Sequence, residues 1–347
     1  MSVQIVISVS PGERRYARIE DGRVVAIRCA RDLGGPYAGA VFLGRVVRLE
    51  PGIGGAFVDI GLAQPGFLNL GKRRLSEGEA VQVRVKADPQ AEKGARLSLD
   101  VPKDMAVPPG AKPPLCLLAA EDPLAALQTR GKADEILEAS PAASKDPFDT
   151  SGASEALEET LSPLVPLPSG GRLLIERTAA FWAVDVDTGA QKGPDARFRA
   201  NLEAARVAAA QIRLRNLGGR ILIDFAGLPR QRLGKIVLLL KEELARDEVP
   251  VHLGGVTPLG LVELARERRT PCLADLFTGA EAMAYEGLRR ALALVRSKPS
   301  AQPRLMAPGQ AIELLKGPLA AVLTLAEGRL GHALVLETGE KLEIFER

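Results

Sequence analysis

"FWAVDVDTGA", residues 181–190, decides how the rest of the chain is read. Its opening Phe-Trp-Ala-Val belongs in a core, yet Asp185 and Asp187 follow within the same strand-length run. A buried carboxylate without a partner is costly, so a core strand carrying two of them implies a cation or a donor close by. Outward from this run the pattern is α/β. "RLLIERT" (172–178) precedes it as a strand after the turn "PSGG". A helix follows, with Pro194 and Asp195 near its start and Phe198, Leu202, Ala205, Ala209 and Ile212 at helical spacing, stopped by Gly218-Gly219. Next come the strand "RILIDFAG", ending in Asp224, the helix "RLGKIVLLLKEELARD", the strand "PVHLGGV" and "GLVELARERR", read as a helix.

If the strands carrying Asp185 and Asp224 are neighbours, all three carboxylates reach one sheet edge, where α/β proteins place ligands. Oxygen ligands without nearby cysteine or histidine favour Mg²⁺ or Mn²⁺. The same residues also fit a plainer arrangement, with Asp224 capping a helix and Asp185 paired to an arginine.

Upstream, residues 3–30 alternate around a Pro-Gly turn and an Asp21-Gly22 turn, the pattern of an antiparallel ribbon. Five short strands punctuated by glycine-rich turns run from Val41 to Leu99 and predict a small closed barrel. Residues 101–165 are rich in Pro, Ala, Ser, Asp and Glu, with "PPLCLLAA" and "ADEILEAS" as the possible ordered pieces. The tail from Glu281 alternates helices with the strands "ALVLE" and "KLEIFER". The predicted fold class is therefore a multidomain α+β protein with domains at 1–36, 37–100, 101–165, 166–280 and 281–347.

Composition narrows the chemistry. The 347 residues include three scattered cysteines, Cys29, Cys116 and Cys272, and two histidines, which gives no disulfide framework and no cysteine-rich zinc site. A cytoplasmic setting fits, no apolar run is long enough to span a membrane, and the N-terminus reads as a strand instead of a signal peptide. The formal charge of +3 is too small to identify a polyanion partner by itself.

The runs "LPSGGRLLIERTAA", "VDVDTGA", "NLEAARVAAAQIRLRNLGGRILIDF" (201–225) and "GLVELARERR", in this order, resemble the catalytic core of the ribonuclease E/G family. "GAFVDIGLAQPGFLNL" (55–70) is similar to the central strands of that family's RNA-binding OB-fold. The resemblance implies an OB-fold barrel inserted in a ribonuclease-H-like subdomain, a DNase-I-like core, and endonucleolytic cleavage of single-stranded RNA. It places Mg²⁺ ligands on Asp185 and Asp224. Asp187 falls where the family has asparagine, as an ancillary catalytic group. It assigns base stacking to Phe57 and Phe67, for which pattern alone favours core packing. Lys72, Arg73, Lys93 and Arg268 would then contact the RNA backbone; otherwise they form a solvated rim.

The chain also departs from the family. Pro258 stands where members carry a basic residue. Residues 101–165 are too short for a full 5′-phosphate sensor, and only the reversed pair Thr129-Arg130 resembles one. A lone Cys272 replaces a Cys-Pro-x-Cys, so neither structural zinc nor a zinc-bridged dimer is expected. The alternative to an enzyme is an RNA-binding protein with little or no cleavage, such as a ribosome-assembly factor.

Overall fold

Strands β1 (Val3–Ser10), β2 (Glu13–Glu20) and β3 (Arg23–Arg31) form the antiparallel ribbon anticipated from alternation. This computed structural model describes residues 2–32, 35–89, 93–129, 131–139, 145–190 and 193–346; Arg130 of the Thr129-Arg130 pair lies outside them. The chain divides into two compact units, residues 35–126 with 268–271, and residues 1–34, 127–267 and 272–347.

The first unit is built on β4 (Val41–Glu50), β5 (Gly55–Asp59), β6 (Gly66–Asn69), β7 (Ala80–Ala87), β8 (Arg96–Ser98) and β9 (Leu115–Leu118). The strand order β5-β6-β8-β7-β4, with β4 also paired to β5, closes a five-stranded barrel, consistent with an OB-fold. Alternation sends Val46, Ala56, Val58, Leu68, Val83 and Val85 into its core. Strand β9, from the expected "PPLCLLAA" piece, extends the sheet along β4.

Helix α1 (Pro123–Gln128) spans the boundary between the two units and leads to β10 (Glu135–Glu138) in the second, the other ordered piece of the connector. It adds to the ribbon in parallel beside β1. Helices α2 (Pro147–Thr150) and α3 (Ala153–Leu161) cover the ribbon through Phe148, Ala153 and Leu157, which pack with Val6, Ile19 and Ile27.

A six-stranded sheet follows, composed of β11 (Leu164–Pro166), β12 (Arg172–Arg177), β13 (Trp182–Asp187), β14 (Gly219–Asp224), β15 (Val251–Val256) and β16 (Val262–Arg266). Its order is β11-β12-β13-β14-β16-β15. Helices α4 (Pro194–Leu214) and α5 (Arg230–Leu244) cover one face, burying Val184, Val186, Ile221, Ile223, Ala205, Ala208, Ile212, Ile236 and Leu240.

Two expectations are corrected here. "GLVELARERR" holds a strand, because Val262, Leu264 and Arg266 are buried while Glu263 and Ala265 are exposed, a period of two instead of 3.6. The "FWAVDVD" run is not buried on both faces: Trp182, Val184 and Val186 point inward, whereas Asp185 is exposed and Asp187 half-exposed. The burial argument for a neutralising partner therefore does not apply to these carboxylates.

The tail contributes α6 (Leu273–Phe277), α7 (Gly279–Ser297), β17 (Pro303–Ala307), α8 (Gly309–Lys316), α9 (Ala320–Leu330), β18 (Val335–Thr338) and β19 (Glu343–Glu346). Buried Glu13 accepts hydrogen bonds from Arg15 (2.7 Å) and Arg31 (2.9 Å), which in turn reach Glu286 and Glu281 of α7 at 3.0 Å each. Burial alone would push the Glu13 carboxyl up, but the two guanidinium groups hold it below its ordinary value. Among the described residues no helix is long and apolar enough to cross a membrane.

Candidate active site

Asp185 and Asp224 are lateral partners in the parallel pair β13–β14. Partners across adjacent strands lie on the same face, with strand axes about 4.8 Å apart. Both residues are exposed, and neither side chain forms a hydrogen bond or ion pair with the described residues. Asp187 lies two positions further along the same face but is engaged: it faces Arg172 across β12, with Oδ2 3.2 Å from Nε, and its Oδ1 accepts the Gly189 N–H at 2.9 Å. Among the described residues no group of three acidic, histidine or cysteine side chains is arranged to hold a metal. The structure brings Asp185 and Asp224 together as a pair and keeps Asp187 apart with Arg172.

The loop after Asp224 is held by a residue that sequence reasoning missed. Asn201, fully buried on α4, donates through Nδ2 to the carbonyls of Arg197 (2.9 Å) and Ala226 (3.1 Å). Its signal was a single polar side chain on the buried stripe shared with Ala205, Ala208 and Ile212. Gly227 has φ +51°, and a Cβ there would stand 3.3 Å from Nη1 of Arg197. The arginine therefore passes directly over the glycine. Arg232 is committed to Asp195 (2.7 Å) and to the ring of Phe198 (5.3 Å), while Arg230 opens α5 exposed to solvent.

On the barrel, one lateral row crosses four strands: Arg48 faces Phe57, Phe57 faces Phe67, and Phe67 faces Arg96. The two rings stand edge to face, 5.6 Å between centroids and 65° between planes, and the Arg48 guanidinium lies 4.6 Å from the Phe57 ring centre. Both rings are half-buried on the outer face, while Ala56, Val58 and Leu68 fill the core between them in sequence. They are thus not the barrel's core aromatics. A bulge between Val46 and Arg48 aims Arg48 outward beside Phe57. Arg48 and Arg96 were not anticipated, because a bulge leaves no mark on the apolar alternation.

Lys72 and Arg73 are exposed in the turn after β6, and Lys93 is exposed ahead of β8. Arg268 belongs to the short segment 268–271, which joins the barrel unit where the Asp88 N–H donates to the Arg269 carbonyl at 2.9 Å. Arg266, two residues before Arg268, is buried and forms a bidentate pair with Asp247 at 2.9 and 3.0 Å. Cys272 is buried in the sheet core; burial, with Asp275 beside it, pushes its thiol up to about 11.

One chain thus carries a closed barrel with an outward row of paired aromatics and a sheet with two exposed carboxylates that have no partner among the described residues. Residues 126–269 match the profile of the Ribonuclease E/G family. The chain is 27% identical to Ribonuclease G of Salmonella typhimurium (strain SL1344) and 26% identical to Ribonuclease G of Escherichia coli (strain K12). Each match covers 77% of this chain and 80% of the relative. It is also 39% identical to Ribonuclease E of Nostoc sp. (strain PCC 7120 / SAG 25.82 / UTEX 2576), over 35% of this chain and 18% of that protein. These similarities support the ribonuclease E/G family for this chain.

Proposed function

We propose that this chain is an endoribonuclease that cleaves single-stranded RNA in RNA processing or decay, using a divalent cation, magnesium or manganese, held by Asp185 and Asp224. The observation that carries this reading is the lateral pairing, across a parallel strand pair, of two solvent-facing aspartates that have no partner among the described residues. Two carboxylates at strand spacing fit a hard cation that takes oxygen ligands and keeps several waters. A cation bound there supplies Lewis-acid stabilisation of charge on a scissile phosphate. The chain's own residues do the rest. Asn201 fixes the loop that follows Asp224, and Arg230 with the start of α5 offers positive potential to an incoming phosphate. Asp187, held by Arg172, orients groups at the rim of the site.

Phe57 and Phe67 serve as base-stacking surfaces on the barrel, with Arg48 and Arg96 at the two ends of the row. Lys72, Arg73, Lys93 and Arg268 add backbone contacts. We read the six-stranded sheet as the DNase-I-like core and the ribbon as ribonuclease-H-like. The buried Cys272 supports assembly without a zinc link, and a cytoplasmic setting fits this chemistry.

The engagement of Asp187 with Arg172 favours one further reading, RNA binding with little or no cleavage, as in a ribosome-assembly factor. Incubation of the purified chain with end-labelled single-stranded RNA, in Mg²⁺ and in EDTA, separates the two. The nuclease reading requires internal cleavage in Mg²⁺ that EDTA abolishes. RNA that is bound but left intact in Mg²⁺ and Mn²⁺ would establish the binding protein.

A further inference from the structure

A cavity of about 80 Å³ opens where the end of β1 meets α7 and α9, lined by Ser8, Ser10, Arg289, Leu292, Arg296 and Arg329. At about 30 Å³ per water it has room for two or three waters, or for one tetrahedral oxyanion. Among the described residues no carboxylate lines it. Helix α7 presents Arg289, Leu292 and Arg296 at positions i, i+3 and i+7, one face of the helix, and Arg329 comes from the last turn of α9.

The three guanidinium groups differ in how far they are neutralised. Arg289 is bound by Glu286 at 2.9 and 3.0 Å and by Asp149 at 3.2 Å. Among the described residues Arg296 has only Asp146, 3.9 Å away, and that carboxylate is buried and accepts the Ser8 hydroxyl at 2.5 Å. Arg329 is exposed and has no ion pair or hydrogen bond among the described residues. The Ser10 hydroxyl is spent on the Glu13 carbonyl at 3.2 Å. The serine wall is therefore neutral, and the spare donors around the cavity belong to Arg296 and Arg329. Guanidinium forks match the oxygen spacing of phosphate, and an anion between them relieves their mutual repulsion.

We propose that this cavity is a phosphate-binding site, separate from both the paired aspartates and the barrel row, that takes a free phosphate ion or the phosphoryl group of a nucleotide. The proposal does not depend on the nuclease reading. Calorimetric titration of the full chain with inorganic phosphate, at ionic strength held constant with chloride, tests it. Saturable binding of one phosphate is expected, weakened at least about tenfold in Arg296→Gln/Arg329→Gln and unchanged in Arg290→Gln. Arg290 lies on the same helix but pairs with Glu286 outside the cavity. Arg329→Gln alone alters an exposed side chain without a partner, and so reports binding even if the double variant misfolds. AMP binding more tightly than phosphate would identify a nucleotide as the occupant; equal affinity, with adenosine inert, would identify the phosphoryl group as sufficient. No saturable binding by the wild type, or undiminished binding by the arginine variants, overturns the proposal.

Discussion

The ring of Phe67 lies across Gly55, its diagonal neighbour on the barrel surface: a Cβ on Gly55 would stand 2.3 Å from Cζ and 2.4 Å from Cε2 of that ring. The glycine is what lets the aromatic lie down on β5 beside Phe57. Gly55→Ala leaves the backbone conformation accessible but forces the ring off its seat. Affinity for single-stranded RNA, read by fluorescence anisotropy, should fall towards that of Phe67→Ala, a loss of about 1–3 kcal/mol if one base stacks there. Wild-type affinity in Gly55→Ala would show that the ring's placement does not matter for binding.

Arg48 and Arg96 end the same row. If each meets a phosphate, single replacement by glutamine should weaken binding across RNA sequences alike and lower the slope of log affinity against log salt by about 0.7 for a single strand. Loss of affinity with an unaltered slope would mean that Arg48 acts by stacking on Phe57 and not through its charge.

How much of this was legible in the sequence depends on whether a residue's role is local. The barrel could be read because its inward valines, leucines and alanines alternate with polar residues between glycine turns. The neighbourhood of Asp185 and Asp224 could be read because each ends a strand followed by a helix, which implies a parallel crossover. The exposure of Asp185 could not. Whether one or both faces of a strand are covered depends on where the other helices go, and α4 and α5 both lie on one side. "VELAR" was misassigned because five residues fit either period until the pairing of β16 between β14 and β15 is known. Arg266 is a basic residue whose carboxylate partner, Asp247, lies nineteen positions away, so nothing local marks the buried ion pair.

Asp185→Asn and Asp224→Asn should each reduce RNA cleavage by orders of magnitude while leaving RNA affinity and thermal stability near wild type. Both side chains are exposed and have no partner among the described residues, so the described fold loses no contact when their charge is removed. Asp187→Asn should cost less, since it removes an exposed contact with Arg172 of a kind that stabilises by about 0–1 kcal/mol. Undiminished cleavage in both of the first two variants would remove the cation site from this edge.

Asn201→Ala removes the donor shared by the Arg197 and Ala226 carbonyls, which ties α4 to the loop after Asp224. A loss of about 1–3 kcal/mol in unfolding free energy is expected, together with slower cleavage at unchanged RNA affinity. Denaturant unfolding and single-turnover kinetics measure the two effects. Full cleavage rate in a destabilised variant would confine Asn201 to a structural role.

The barrel carries a titrating group of its own. Asp88 is buried, accepts the backbone N–H of Tyr37 at 2.9 Å, and leaves Oδ2 without a partner among the described residues. Burial raises its carboxyl from 3.8 to about 6, against the lowering effect of amide hydrogen bonds from Tyr37 and Ala38. A carboxyl raised on folding holds its proton more tightly in the folded state. Its contribution is therefore present below the unfolded value and is lost as pH rises from about 4 through about 6. The difference between 3.8 and about 6 corresponds to on the order of 3 kcal/mol. Asp88→Asn keeps an oxygen for the two amides and carries no charge at any pH. The variant should therefore gain stability relative to wild type as pH rises from 4 to 7, whatever constant offset its new amide introduces, and the gap should level off above pH 7. Thermal melts of both proteins across that range measure the gap. Parallel curves would show that Asp88 is already ionised at pH 4, with its charge met by water or by a group outside the described residues.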